Sequence, residues 1–89
     1  MQGNGAHCSE RDLQVSTQRI VAELWREVLQ TQELPGPDDD FFALGGDSMA
    51  MATVEFRIME ELAVQLSPGA TLGAPTLREL STLVDQLRR

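Results

Sequence analysis

Asp40-Phe41-Phe42-Ala43-Leu44-Gly45-Gly46-Asp47-Ser48 runs from an acid and two adjacent aromatics through two glycines to a pair of helix-opening residues. It lies inside a long connection, after the breaker Pro35-Gly36-Pro37 and an Asp triplet at 38–40 that read as loop. Two adjacent Phe residues in a connection are too apolar to leave in water, so they are expected to plug a core. Gly45-Gly46 ends the apolar run. Asp47 and Ser48 then open a helix, because both side chains carry oxygens that accept orphan backbone N–H groups. The stretch therefore reads as a core-plugging insert leading directly into a helix over about residues 47–64.

Upstream, Ile20, Val21, Leu24, Trp25, Val28 and Leu29 share one helical face, which predicts a helix over about residues 17–30 with Ser16 or Thr17 as its cap. Residues 1–15 are Gly-, Asn- and polar-rich without clear periodicity and read as a flexible tail, leaving a single domain over 16–89. Downstream, Ser67-Pro68-Gly69 breaks the second helix, and one short turn is expected over residues 70–74. Thr76-Leu77-Arg78-Glu79 has the form of a capping box and opens a last helix. Its apolar face is Leu77, Leu80, Val84 and Leu87, with Leu83 beside it. The expected fold is all-α: a small four-helix bundle of three main helices and one short helix, with a long first loop.

Bulk composition narrows the function. The chain has 89 residues, room for one domain and little room for a deep cleft. Its net charge is −7 and all seven basic residues are Arg. Such a surface repels phosphate backbones, so no nucleic-acid partner is expected, and basic protein partners are. One cysteine, Cys8, cannot form an internal disulfide. The start has no signal-peptide pattern and no run is long enough to span a bilayer, so a cytoplasmic protein without membrane contact is expected. Consecutive acids at 38–40 lack the spacing of a calcium loop, and no metal site is expected.

Helix two carries two apolar stripes. One is Met51, Val54, Ile58 and Leu62; the other is Met49, Ala52, Phe56 and Met59, with Glu55 projecting between them. Either both stripes are buried in a central helix, or the Met49 stripe is a partly exposed docking surface. Flexible, polarizable Met suits a surface that meets several partners.

Ser48 itself follows two glycines and opens a helix. A helix start favours negative charge, typically by about 0.3–1 kcal/mol, and its N–H groups can hold a phosphate. The same four residues also read as a turn followed by a simple cap. The wider pattern separates the two. Residues 40–48 resemble the D-F-F-x-L-G-G-[H/D]-S signature of peptidyl carrier domains of nonribosomal peptide synthetases, within the acyl carrier protein superfamily. Leu24-Trp25-Val28-Leu29, Arg57-Ile58 and Ala74-Pro75-Thr76-Leu77 are similar to further family segments. Two departures are Asp47, where His is commonest, and Thr71-Leu72-Gly73, where the family often has an apolar pair.

The resemblance implies a non-catalytic, monomeric carrier, and the start at Met1, the short tail and the end at Arg89 make the stand-alone type the expectation. It implies that Ser48 accepts a 4′-phosphopantetheine arm from coenzyme A through a phosphopantetheinyl transferase. The arm would hold an aminoacyl or acyl thioester for adenylation, condensation or tailoring enzymes in nonribosomal peptide or related assembly. Asp47, Met49, Ala52, Phe56 and Met59 would be partner-recognition residues.

Two other classes remain. Gly46-Asp47-Ser48-Met49-Ala50 is close to a hydrolase nucleophile elbow, but Ala replaces the second Gly, no strand precedes it and the single His is His7. An acidic helical adaptor without a prosthetic group fits composition equally well.

Overall fold

In the computed structural model, the backbone is described over residues 10–88 and the side chains over 17–88. Four helices follow in order: α1 (Glu10–Leu29), α2 (Ser48–Leu62), α3 (Ala70–Gly73) and α4 (Leu77–Arg88). This is the expected bundle of three main helices and one short one, with α1 packed against α2 and α4, and α3 leaning on α2. Among the described residues the one extended pairing is an isolated bridge between Asp40 and Thr76.

The core is built from the predicted faces. Val21, Leu24 and Trp25 of α1, Val54 and Ile58 of α2, and Leu77, Leu80 and Val84 of α4 are buried together with Phe41. Each large side chain removed from water contributes about 1.5–3 kcal/mol. Phe41 is fully buried and meets Trp25 edge-on, with ring centroids 5.2 Å apart. Phe42 packs against Phe41 in the same manner at 5.3 Å and is only partly covered.

The long loop is fastened to the start of α4. Pro37 O accepts from Arg78 N at 2.8 Å and Asp39 O accepts from Leu77 N at 3.0 Å. Two orphan donors of that helix are thereby satisfied by backbone. The predicted capping box is also present: Glu79 N donates to Thr76 Oγ1 and Thr76 N donates to Glu79 Oε1, both at 3.2 Å.

Several expectations are corrected. The first helix begins at Glu10 rather than near Thr17, so residues 10–15 are helical. Glu, Arg, Leu and Gln sustain helix without an apolar stripe, and periodicity alone does not register them. The tail reading for residues 1–9 lies outside the described residues. Thr17 is consequently no cap. It is fully buried, donates to Asp85 Oδ1 at 3.3 Å and accepts from Arg88 Nη1 at 2.7 Å, tying α1 to α4. On α4 the inward face includes Ser81 and Asp85, while Leu87 is exposed, and Asp85 and Arg88 are the residues that pair with Thr17.

Candidate functional site

Residues 40–48 form one turn that leads directly into α2. Asp40 Oδ1 accepts from Phe42 N at 2.8 Å and from Ala43 N at 3.1 Å, capping a single helical turn. Leu44 N closes that turn on Asp40 O at 3.0 Å. Gly45 ends it at φ +100, a conformation L side chains rarely adopt. Gly45 N then bonds Phe42 O at 3.1 Å and Gly46 N bonds Phe41 O at 3.0 Å, the paired bonds of a Schellman ending.

Gly46 is there for packing. A Cβ at this position would lie 2.3 Å from Phe41 Cε2 and 2.5 Å from Cδ2. The ring of Phe41 therefore occupies the space a side chain would need. This contact locks the start of α2 to the Trp25–Phe41 core, so the position of residues 47 and 48 is set by the interior.

Asp47 is the cap of α2. Its backbone is extended and its Oδ1 accepts from Ala50 N at 2.8 Å. Since Asp47 does the capping, the first helical residue, Ser48, has no structural task. Ser48 is exposed, and its side chain forms no hydrogen bond among the described residues. The N–H groups of Ser48 and Met49 likewise have no partner there, as expected in a first turn. A free hydroxyl beside open N–H groups fits esterification by a phosphate group, which gains from both the donors and the helix dipole.

The remaining predicted residues divide. Met49 and Phe56 are 80% and 57% exposed, and Ala52 between them is exposed as well. These three lie on one outward face of α2. Met59 is instead partly buried against the core. The complementary stripe points inward: Val54 and Ile58 are buried, and Met51 and Leu62 are partly so. Leu72 of α3 adds a further exposed apolar side chain at 66%.

Glu55 departs from its expected place between the stripes. It is 4% exposed and accepts from Gly69 N at 3.0 Å, Thr71 N at 3.1 Å and Thr71 Oγ1 at 2.8 Å. A carboxylate can be buried there because three donors satisfy it. Its partners lie 14 and 16 residues away, beyond any local pattern.

The hydrolase alternative loses its frame. The segment before Ser48 is a helical turn and not the strand that a nucleophile elbow requires. Among the described residues no group of three or more His, Cys, Asp or Glu could hold a metal ion, and no helix is long and apolar enough to cross a membrane.

Residues 19–84 match the family described as phosphopantetheine attachment site. The chain is similar to surfactin synthase subunit 3 of Bacillus subtilis, 39% identical over 64 residues, covering 72% of this chain and 5% of that protein. It is similar to tyrocidine synthase 3 of Brevibacillus parabrevis, 38% identical over 66 residues, covering 74% of this chain and 1% of that protein. The chain thus spans a twentieth or less of these two relatives. Among solved structures it resembles BlmI, a type-II acyl carrier protein from Streptomyces verticillus involved in bleomycin biosynthesis. The TM-score is 0.81 at 30% identity, covering 86% of this chain and 92% of that one.

Proposed function

The chain belongs to the family of phosphopantetheine attachment domains, and from that premise we propose that Ser48 is the residue that receives the arm. The observation that carries this assignment is the division of labour at the head of α2. Asp47 caps the helix, so the exposed Ser48 hydroxyl is left unengaged. The protein is a carrier, and 4′-phosphopantetheine is its prosthetic group. When attached, the group supplies a thiol that holds an acyl chain as a thioester.

In the proposed loading step, Ser48 Oγ attacks the β-phosphorus of coenzyme A. A new P–O bond forms, the bridging P–O bond of the pyrophosphate breaks, and adenosine 3′,5′-bisphosphate leaves. The hydroxyl proton passes to a base of the phosphopantetheinyl transferase, whose Mg²⁺ assists. The chain's own part is to hold Ser48 on a rigid, capped helix start. Asp47, Met49, Ala52 and Phe56 form the surface offered to the transferase and then to adenylation, condensation or tailoring enzymes, with Met59 at its edge. The exposure of Met49 and Phe56 supports this reading, since apolar side chains grouped on one outward face suit such contacts. We place the chain, as a monomeric cytoplasmic carrier, in nonribosomal peptide or related natural-product assembly, on its likeness to the two synthases and to BlmI.

Intact mass after incubation with coenzyme A and a promiscuous transferase tests the reading. One phosphopantetheinyl group should be added to the wild type and none to Ser48→Ala. An unchanged wild-type mass beside a working control carrier would leave an adaptor without a prosthetic group. A loaded Ser48→Ala protein would move the site elsewhere.

A further inference from the structure

α3 is the least self-sufficient element of the fold. It has four residues, too few to persist as an isolated helix, and its N-cap, Gly69, offers no side-chain oxygen. Apolar burial does little to hold it: the side chain it buries fully is Thr71, while Leu72 points outward. What fastens it is Glu55 of α2. Both carboxylate oxygens are engaged, Oε1 by Gly69 N, and Oε2 by Thr71 N together with Thr71 Oγ1. The carboxylate of one helix thus supplies the cap that the other lacks, from inside the protein.

We propose that Glu55 is a positioning residue for the partner surface: its buried carboxylate holds residues 69–71 against α2 and so sets where Leu72 stands relative to Met49 and Phe56. This rests on the reading that the outward face of α2 meets the loading enzyme. Glu55 itself is buried and bonds to Gly69 and Thr71. It acts through the placement of α3, keeping Thr71 inward and Leu72 outward.

Glu55→Gln tests the latch at nearly constant volume. An amide presents one oxygen and one NH₂ group, and NH₂ cannot accept from a backbone N–H. Whichever way the Gln turns, either Gly69 N or Thr71 N faces a donor. Hydrogen exchange of the full chain should show Gly69 and Thr71 amides opening about tenfold faster or more, with α1 amides such as Val21 and Leu24 much less affected. In transferase-catalysed loading with coenzyme A, KM for the carrier should rise severalfold with kcat nearly unchanged. Thr71→Val, which removes one donor and keeps the side-chain shape, should shift both readouts the same way by less, and it decides the matter if Glu55→Gln does not fold.

Unchanged exchange at both amides overturns the latch. Faster exchange with an unchanged KM overturns its positioning role. Met49→Ala in the same assay reports separately on the surface: a raised KM there beside an unaffected Glu55→Gln protein refutes this proposal and leaves the docking face standing.

Discussion

Gly46→Ala should be among the most damaging single-methyl additions in this protein. The added Cβ would sit 2.3–2.8 Å from three atoms of the Phe41 ring, about 1 Å inside ordinary contact. Phe41 cannot retreat freely, because it is fully buried and packed edge-on against Trp25. Overpacking of this sort costs about 1–3 kcal/mol, and the constrained ring puts this site toward the upper end. At an m-value of about 1 kcal/mol/M, the urea midpoint should fall by roughly 2 M. The melting temperature should fall by roughly 10 °C or more. Trp25 is the single Trp of the chain and a direct reporter, since its indole N–H is buried without a hydrogen-bond partner and its emission will respond when Phe41 moves. Phe41→Leu in the Gly46→Ala background should recover part of the loss, a coupling of about 0.5–3 kcal/mol between two groups in contact. Gly73→Ala is the control: a Cβ there meets nothing within 4 Å, so the change should be neutral or stabilising. A Gly46→Ala protein within about 0.5 kcal/mol of wild type, or strictly additive costs in the double variant, would refute the packing argument.

Two further outcomes follow from the head and the outer face of α2. Asp47→Ala removes the acceptor of Ala50 N and should cost about 1 kcal/mol in a thermal or urea melt, while Asp47→Asn, which keeps the oxygen, should retain most of the stability. Phe56→Ala should change stability by only about 0.5 kcal/mol, because the ring is already 57% exposed, yet loading kinetics should show a raised KM; an unaltered KM would remove Phe56 from the partner surface.

The sequence was most legible where the determining contacts are local. The Thr76–Glu79 box and the apolar faces of α1 and α2 depend on residues within a turn or two of one another. The buried polar contacts were not legible. Thr17 meets Asp85 across 68 residues and Glu55 meets Thr71 across 16, whereas locally Thr17 reads as a cap and Glu55 as projecting between two apolar stripes. Their signal is a polar residue on the core side of an apolar stripe, which becomes meaningful only once its distant donor is known. The start of α1 was missed for another reason: residues 10–15 lack an apolar stripe, and helix propensity alone is a weak guide.

Ser48 shows how a one-residue offset decides function. Gly-Gly-Asp-Ser left open which oxygen caps α2, and a capping serine would have its hydroxyl committed to the helix. The tertiary structure resolves this upstream. Phe41 must sit on Trp25, Gly46 must lack a side chain to let it do so, and Gly45 must turn the chain at φ +100 between them. With those three positions fixed, Asp47 falls at the cap and Ser48 at the first helical position. The aromatic core, and not the local cap preference, is therefore what leaves the serine hydroxyl free. A change at Phe41 or Gly46 that shifted the cap by one residue should engage that hydroxyl and slow loading, even in a protein that still folds.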